Sequence, residues 1–154
     1  MTIDLQNPGE LWVTMVYWLK GVLEDLPEVV KEGSKSPEAY HMFQVIHEYE
    51  RMLLNKERET SFHHTMAHLL FFTRRGSKYI KISITLLFNQ LRRTDKAYWR
   101  NLVRVLRYII GTLHLPLILM SDSLSVIKYW VDASFAAHPD WKGHTGAMMS
   151  MGSG

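Results

Sequence analysis

The chain has 154 residues and a net charge of +3; 47% are hydrophobic, and it carries five Trp, seven Tyr and six Phe but no Cys. That length can bury a real core, and that composition excludes disorder over most of the chain. No apolar run approaches the ~20 residues of a membrane span, and the N-terminal MTIDLQNPGE lacks the basic and apolar regions of a signal peptide. Without cysteine, disulfides and thiolate metal sites are excluded, and an intracellular location, cytoplasmic or nuclear, is the expectation.

In chain order, Asn7-Pro8-Gly9-Glu10 is a turn, Leu11 to Met15 a short strand, and Val16 to Asp25 an amphipathic helix. Leu26-Pro27 and Gly33-Ser34-Lys35-Ser36-Pro37 break the chain. Ser36 is placed to cap a short helix through Val45, with Pro37 at its first position. Asn55 caps a longer helix to Arg75, ended by Gly76. Ser77 then caps a helix to Leu91, and Thr94 another to Ile110 that Gly111 closes. The remainder is β-rich: Leu115 to Met120, Val126 to Phe135 and Thr145 to Met151. The five tryptophans and nine methionines are expected in the core.

Charge is unevenly spread. Residues 1–60 hold eleven acids against six bases, whereas Arg74 to Arg107 holds ten bases opposed only by Asp95. Such separation suits a surface that meets phosphates, including Arg74 and Arg75; a solvated face paired with the acidic half is the alternative. Lys96, Arg100, Arg104 and Arg107 recur at steps of four, four and three, so they share one helix face opposite Trp99, Leu102, Val103, Leu106, Ile109 and Ile110. A basic stripe of this kind can track a nucleic-acid backbone by displacing counterions.

His63, His64 and His68 include an i, i+4 pair with the spacing of zinc-binding helices. Thr65 stands where a catalytic Glu would follow His64, and no third ligand is identifiable, so a packed or surface helix is the expectation. Asp132 lies mid-strand in Ile127 to Phe135, a place that disfavours Asp. The turn residues from His138 to Gly143 then return the chain as a hairpin, which supplies one corner of a metal-dependent phosphodiesterase site. Tyr129-Trp130-Val131-Asp132 has only a surface likeness to the Tyr-x-Asp-Asp turn of polymerases, because Ala133 replaces the second acid. There is no Gly-rich phosphate loop, nucleophile triad or dinucleotide fingerprint.

WVDASFAAHPDWKGHTGAMMSMGSG resembles the start of the RNase H domain in copia-type LTR retrotransposon polyproteins. YWRNLVRVLRYIIGTLHLPLILMSDSLSVIK is similar to the end of the reverse transcriptase in the same polyproteins. VTMVYWLKGVLEDLPEVV and SFHHTMAHLLFFTRRGSKYIKISITLLF resemble its thumb and connection segments, so the likeness runs from about Val13 to Gly154. The chain departs from the pattern at Tyr79, where an Asp is usual, and at Tyr129, where a second Trp is common. The polymerase aspartate pair and the later RNase H carboxylates are not among these residues, so a fragment is expected.

The resemblance implies an α+β fold: a small helical bundle over 1–120, thumb/connection-like, then an incomplete antiparallel RNase H-like hairpin over 121–154. It implies Asp132 as a Mg²⁺ ligand in the intact parent, with no cofactor and no polymerase or nuclease turnover expected of this chain. Asp122 and Asp140, ten and eight residues from Asp132, are too far along the chain to share its metal. The implied partner is RNA–DNA hybrid or duplex, bound weakly and without sequence preference, and no membrane. A stand-alone nucleic-acid-binding helical module and a helical protein-interaction or metal-binding domain are the alternatives.

Overall fold

A computed structural model describes residues 1–31, 33–38, 42, 51–89, 91, 94–120, 125–134 and 143–152. The architecture is α+β, and the described residues form four helices and five strands. The chain divides into two compact units: Met1–Thr2 with Val13–Leu117, and Ile3–Trp12 with Ile118–Gly154.

The first unit is helical. Helix α1 spans Val16–Glu24, α2 Lys56–Arg75, α3 Lys81–Phe88 and α4 Lys96–Gly111. Its core gathers Leu19 from α1, Phe62, Met66, Leu69 and Phe72 from α2, Ile84 and Leu87 from α3, and Trp99, Leu102, Val105, Leu106 and Ile109 from α4. Each such apolar side chain contributes roughly 1.5–3 kcal/mol on burial. Burial also pushes the Tyr98 phenol above its ordinary pKa.

The ends of α2 follow directly from local chemistry. Asn55 accepts a hydrogen bond from the Arg58 amide at 3.0 Å, Glu57 and Glu59 lie in the positive first turn, and Arg74 and Arg75 in the negative last turn. Gly76 closes the helix where a β-carbon would overlap the Phe72 ring and lie 3.1 Å from Met15 Sδ. Ser77 does not open the next helix. Its amide bonds back to the Phe72 carbonyl, so it completes the end of α2, and α3 starts only after Ile80 is fully buried.

Two further capping expectations are corrected. Asp95, not Thr94, caps α4: its Oδ1 accepts from the Ala97 and Tyr98 amides at 2.8 and 2.9 Å. The Thr94 carbonyl instead accepts from Leu54, and Lys96 donates to Met52, so the pairing of 52–54 with 94–96 fixes which residue stands at the helix mouth. Helix α4 includes Gly111 and ends at Thr112. Ser36 caps nothing within the described residues, since its hydroxyl donates to the Glu38 carbonyl at 2.9 Å; the rest of the helix expected through Val45 lies outside them, apart from the buried Met42.

The second unit holds the greater part of every strand, while Thr2, Val13, Thr14 and Leu117 belong to the first. β1 (Thr2–Asp4), β2 (Glu10–Thr14) and β3 (Leu117–Met120) form a three-stranded sheet in that order. β1 was not expected from the sequence. Trp12 Nε1 and Asn7 Nδ2 donate to Glu10 Oε2 at 2.7 and 3.0 Å, and these bonds hold the Glu10 carboxyl below the usual carboxylate range. β4 (Lys128–Ser134) and β5 (His144–Ser150) make a separate antiparallel pair, in register from Lys128 opposite Ser150 to Ser134 opposite His144. The turn expected between them lies outside the described residues.

That ribbon corrects the expectation that Trp and Met fill the core. Trp99, Met15, Met42 and Met66 do, but Trp130 is 49% exposed, Val131 70% and Met149 61%. Trp130 and Val131 point to opposite faces, so described side chains on both faces of the pair are largely exposed. A two-stranded ribbon with side chains this exposed is marginal. Hydrogen exchange should therefore show slow amides in α2 and α4 and fast amides throughout β4 and β5. Equal protection in both regions would contradict this account of where the stability lies.

Candidate nucleic-acid interface

The amphipathic pattern of α4 sets the placement of its bases. Trp99, Leu102, Leu106 and Ile109 are buried, together with Val105, whereas Lys96, Arg100 and Arg107 are exposed. Arg104 differs from its neighbours on the stripe. It is half-buried, its Nε donates to the Glu38 carbonyl at 3.1 Å and its guanidinium NH₂ group donates to Ser36 Oγ at 3.2 Å. The Glu38 carboxylate meanwhile accepts from Ser83 Oγ at 2.7 Å. Arg104 and Ser83 thus fasten segment 34–38 onto α4 and α3, which makes Arg104 a structural tie.

A second polar tie closes the same unit. Glu28 Oε1 accepts from Trp99 Nε1 at 2.8 Å, and Oε2 from Arg58 at 3.3 Å. The Arg58 guanidinium also lies over the Trp99 ring, 5.5 Å from its centroid. Acidic residues of the first sixty therefore do engage bases, but those bases are Arg58, paired with Glu28, and Lys56, paired with Glu59 at 3.6 Å, both within the same sixty residues. Among the described residues, no carboxylate pairs with Arg74, Arg75, Lys96, Arg100 or Arg107. Arg74 and Arg75 are exposed at the end of α2, and the Arg75 guanidinium sits 4.1 Å from the Phe71 ring centroid.

His63, His64 and His68 each contact neighbouring groups. His63 Nε2 lies 3.0 Å from the Leu91 carbonyl oxygen. His64 and His68 meet edge to face at 5.5 Å, and His68 packs against Trp18 at 5.4 Å. Among the described residues, no three His, Asp or Glu side chains are arranged to hold a metal ion. His64 and His68 instead line an open cavity of about 440 Å³ with Thr60, Ser61 and Asp25.

Asp132 stands in the middle of β4, exposed, directly opposite Gly146. A β-carbon at Gly146 would meet nothing within 4 Å, so the cross-strand position beside the carboxylate is open. Asp122 and Asp140 lie outside the described residues. A group that sequence reasoning passed over is Asp95: it is 1% exposed, and its Oδ2 has no hydrogen-bond partner among the described residues. The residue is recognisable from sequence as a helix cap, but its burial follows from the pairing with Leu53.

No helix among the described residues is long and apolar enough to cross a membrane. No family model, curated protein or solved structure matches the chain.

The split within α4 gives an expected outcome. Replacing Arg100 and Arg107 by Ala should flatten the slope of log affinity for an RNA–DNA hybrid against log salt by up to about two charges' worth, with the melting temperature kept. Arg104→Ala should do the reverse, lowering the melting temperature through the loss of two buried-side hydrogen bonds of about 1 kcal/mol each. Measuring both quantities on both variants checks the division, and a slope unchanged by the double variant would remove α4 from the interface.

Proposed function

We propose that this chain is a segment of a copia-type retrotransposon polyprotein, joining the end of its reverse transcriptase to the start of its RNase H domain. The observation that carries this reading is the β4–β5 ribbon, with Asp132 at mid-strand, Gly146 across from it and exposed described side chains on both faces. A mid-strand carboxylate on a ribbon with side chains this exposed suits a sheet completed by further strands, where other carboxylates join the first. The resemblance of residues 130–154 to the start of an RNase H domain supplies the identity of that sheet.

The helical unit then contributes the nucleic-acid side of the same assembly. Lys96, Arg100 and Arg107 on α4, with Arg74 and Arg75 at the end of α2, meet the phosphates of an RNA–DNA hybrid or duplex. Contacts of this kind bind without reading sequence and weaken steeply with salt. The parent activities are RNA-directed DNA synthesis and cleavage of the RNA strand of a hybrid.

Mg²⁺ would serve that cleavage in the parent, yet the residues described here do not by themselves fit a two-ion site. Such a site gathers several carboxylates around ions ~3.5–4 Å apart, and Asp132 is a single ligand. Purified chain should accordingly give no Mg²⁺- or Mn²⁺-dependent cleavage of an RNA–DNA hybrid above background. Cleavage that survives repurification and disappears in Asp132→Asn would overturn the single-carboxylate reading. A second reading, a stand-alone nucleic-acid-binding helical module, draws on the closed core of the helical unit. It would be favoured if residues 13–117 alone kept full hybrid affinity.

A further inference from the structure

We propose that the corner joining α2 to α3 is a platform for single-stranded nucleic acid, on which Tyr79 provides the stacking surface for one base. The inference deepens the nucleic-acid reading above and rests on it. From Thr60 to Thr94 the sequence contains no Asp or Glu, but it contains Arg74, Arg75, Lys78 and Lys81 at this corner. All four are exposed. Their shared field is therefore not neutralised by any acid of their own segment, and it favours a polyanion.

The corner is also firmly built. Gly76 is packed so closely against Phe72 that no β-carbon fits, and the Gly76 and Ser77 amides both bond to the Phe72 carbonyl. At the other end Ile80 is fully buried, and the Lys81 amide donates to the Lys78 carbonyl at 3.2 Å. Between these anchors Tyr79 is 64% exposed. The backbone that carries the ring is thus held on both sides, while the ring itself stays largely exposed. Stacking a base would supply that burial, and the four cations would meet the phosphates on either side.

Of the anionic partners that such charges attract, a single strand fits better than a lipid surface. Insertion into lipid calls for a broad apolar face, whereas here the Arg75 guanidinium lies over the Phe71 ring and the exposed Arg74, Lys78 and Lys81 interrupt the surface. A duplex would meet the cations but keep its bases stacked inside, leaving the ring without a role. Stacking requires the π-face alone, so binding should be tolerant of sequence.

The test is fluorescence anisotropy of the full chain with a labelled oligo(dT) of about ten nucleotides, titrated across a salt series. Tyr79→Ala should weaken binding about 5- to 100-fold and leave the salt slope unchanged, while Tyr79→Phe should bind like the parent. Lys78→Ala with Lys81→Ala should lower the slope by roughly 0.7 per charge removed. Parent-like affinity in Tyr79→Ala would overturn the proposal, as would Tyr79-dependent binding to phosphatidylserine vesicles without oligonucleotide binding. If hybrid binding ignores Arg100 and Arg107 while the oligonucleotide still depends on Tyr79, the α4 interface falls and the platform stands. If the hybrid depends on α4 and Tyr79 is silent, the platform alone falls.

Discussion

Burial of apolar side chains against Leu69, Leu102 and Leu106, each buried to about 1% or less exposure, is the constraint on which the helical unit depends. Because α4 commits Trp99, Leu102, Val105, Leu106 and Ile109 to that core, its remaining face must take the bases. The same logic orients α2, whose Phe62, Met66, Leu69 and Phe72 point inward and leave Arg74 and Arg75 outside. Polar ties then fix the irregular segments on this frame. Glu28 reaches Arg58 and Trp99, and Arg104 reaches the 36–38 segment. These bonds cost little to make once the helices are in place, because the groups they join are already close.

The β4–β5 pair follows a different rule. Its seven cross-strand pairs satisfy the backbone along one edge of each strand, but its side chains remove little apolar surface from water. Backbone pairing alone scarcely offsets the conformational entropy of ordering a strand. An exposed ribbon carrying Tyr129, Trp130, Val131 and Met149 is consequently an element whose stability depends on what it pairs with. The carboxylate at its centre shares that dependence, since the chemistry proposed for Asp132 needs ligands from elsewhere.

How much of this was legible in the sequence varies with the range of the deciding interaction. The two ends of α2 were legible because Asn55 and Gly76 act within one turn of themselves. Thr94 and Asp95 are adjacent and both suit a cap, so only the pairing with Met52–Leu54, some forty residues away, selects Asp95. Helical spacing lines Arg104 up with Lys96, Arg100 and Arg107, but spacing carries no information about a partner at Glu38. Composition assigned Trp130 and Met149 to a core, whereas a residue in a strand is buried only when a second layer exists.

As proposed, the β4–β5 ribbon opens an RNase H-like sheet with Asp132 as one ligand. Mixing the chain with the later strands and helices of a copia-type RNase H domain, and following backbone amide exchange in the presence of Mg²⁺, tests it most directly. The account predicts that Val131, Asp132 and Ala147 amides become protected and that the mixture gains hybrid cleavage, which Asp132→Asn abolishes. Amides that stay fast while the mixture shows no cleavage would contradict it.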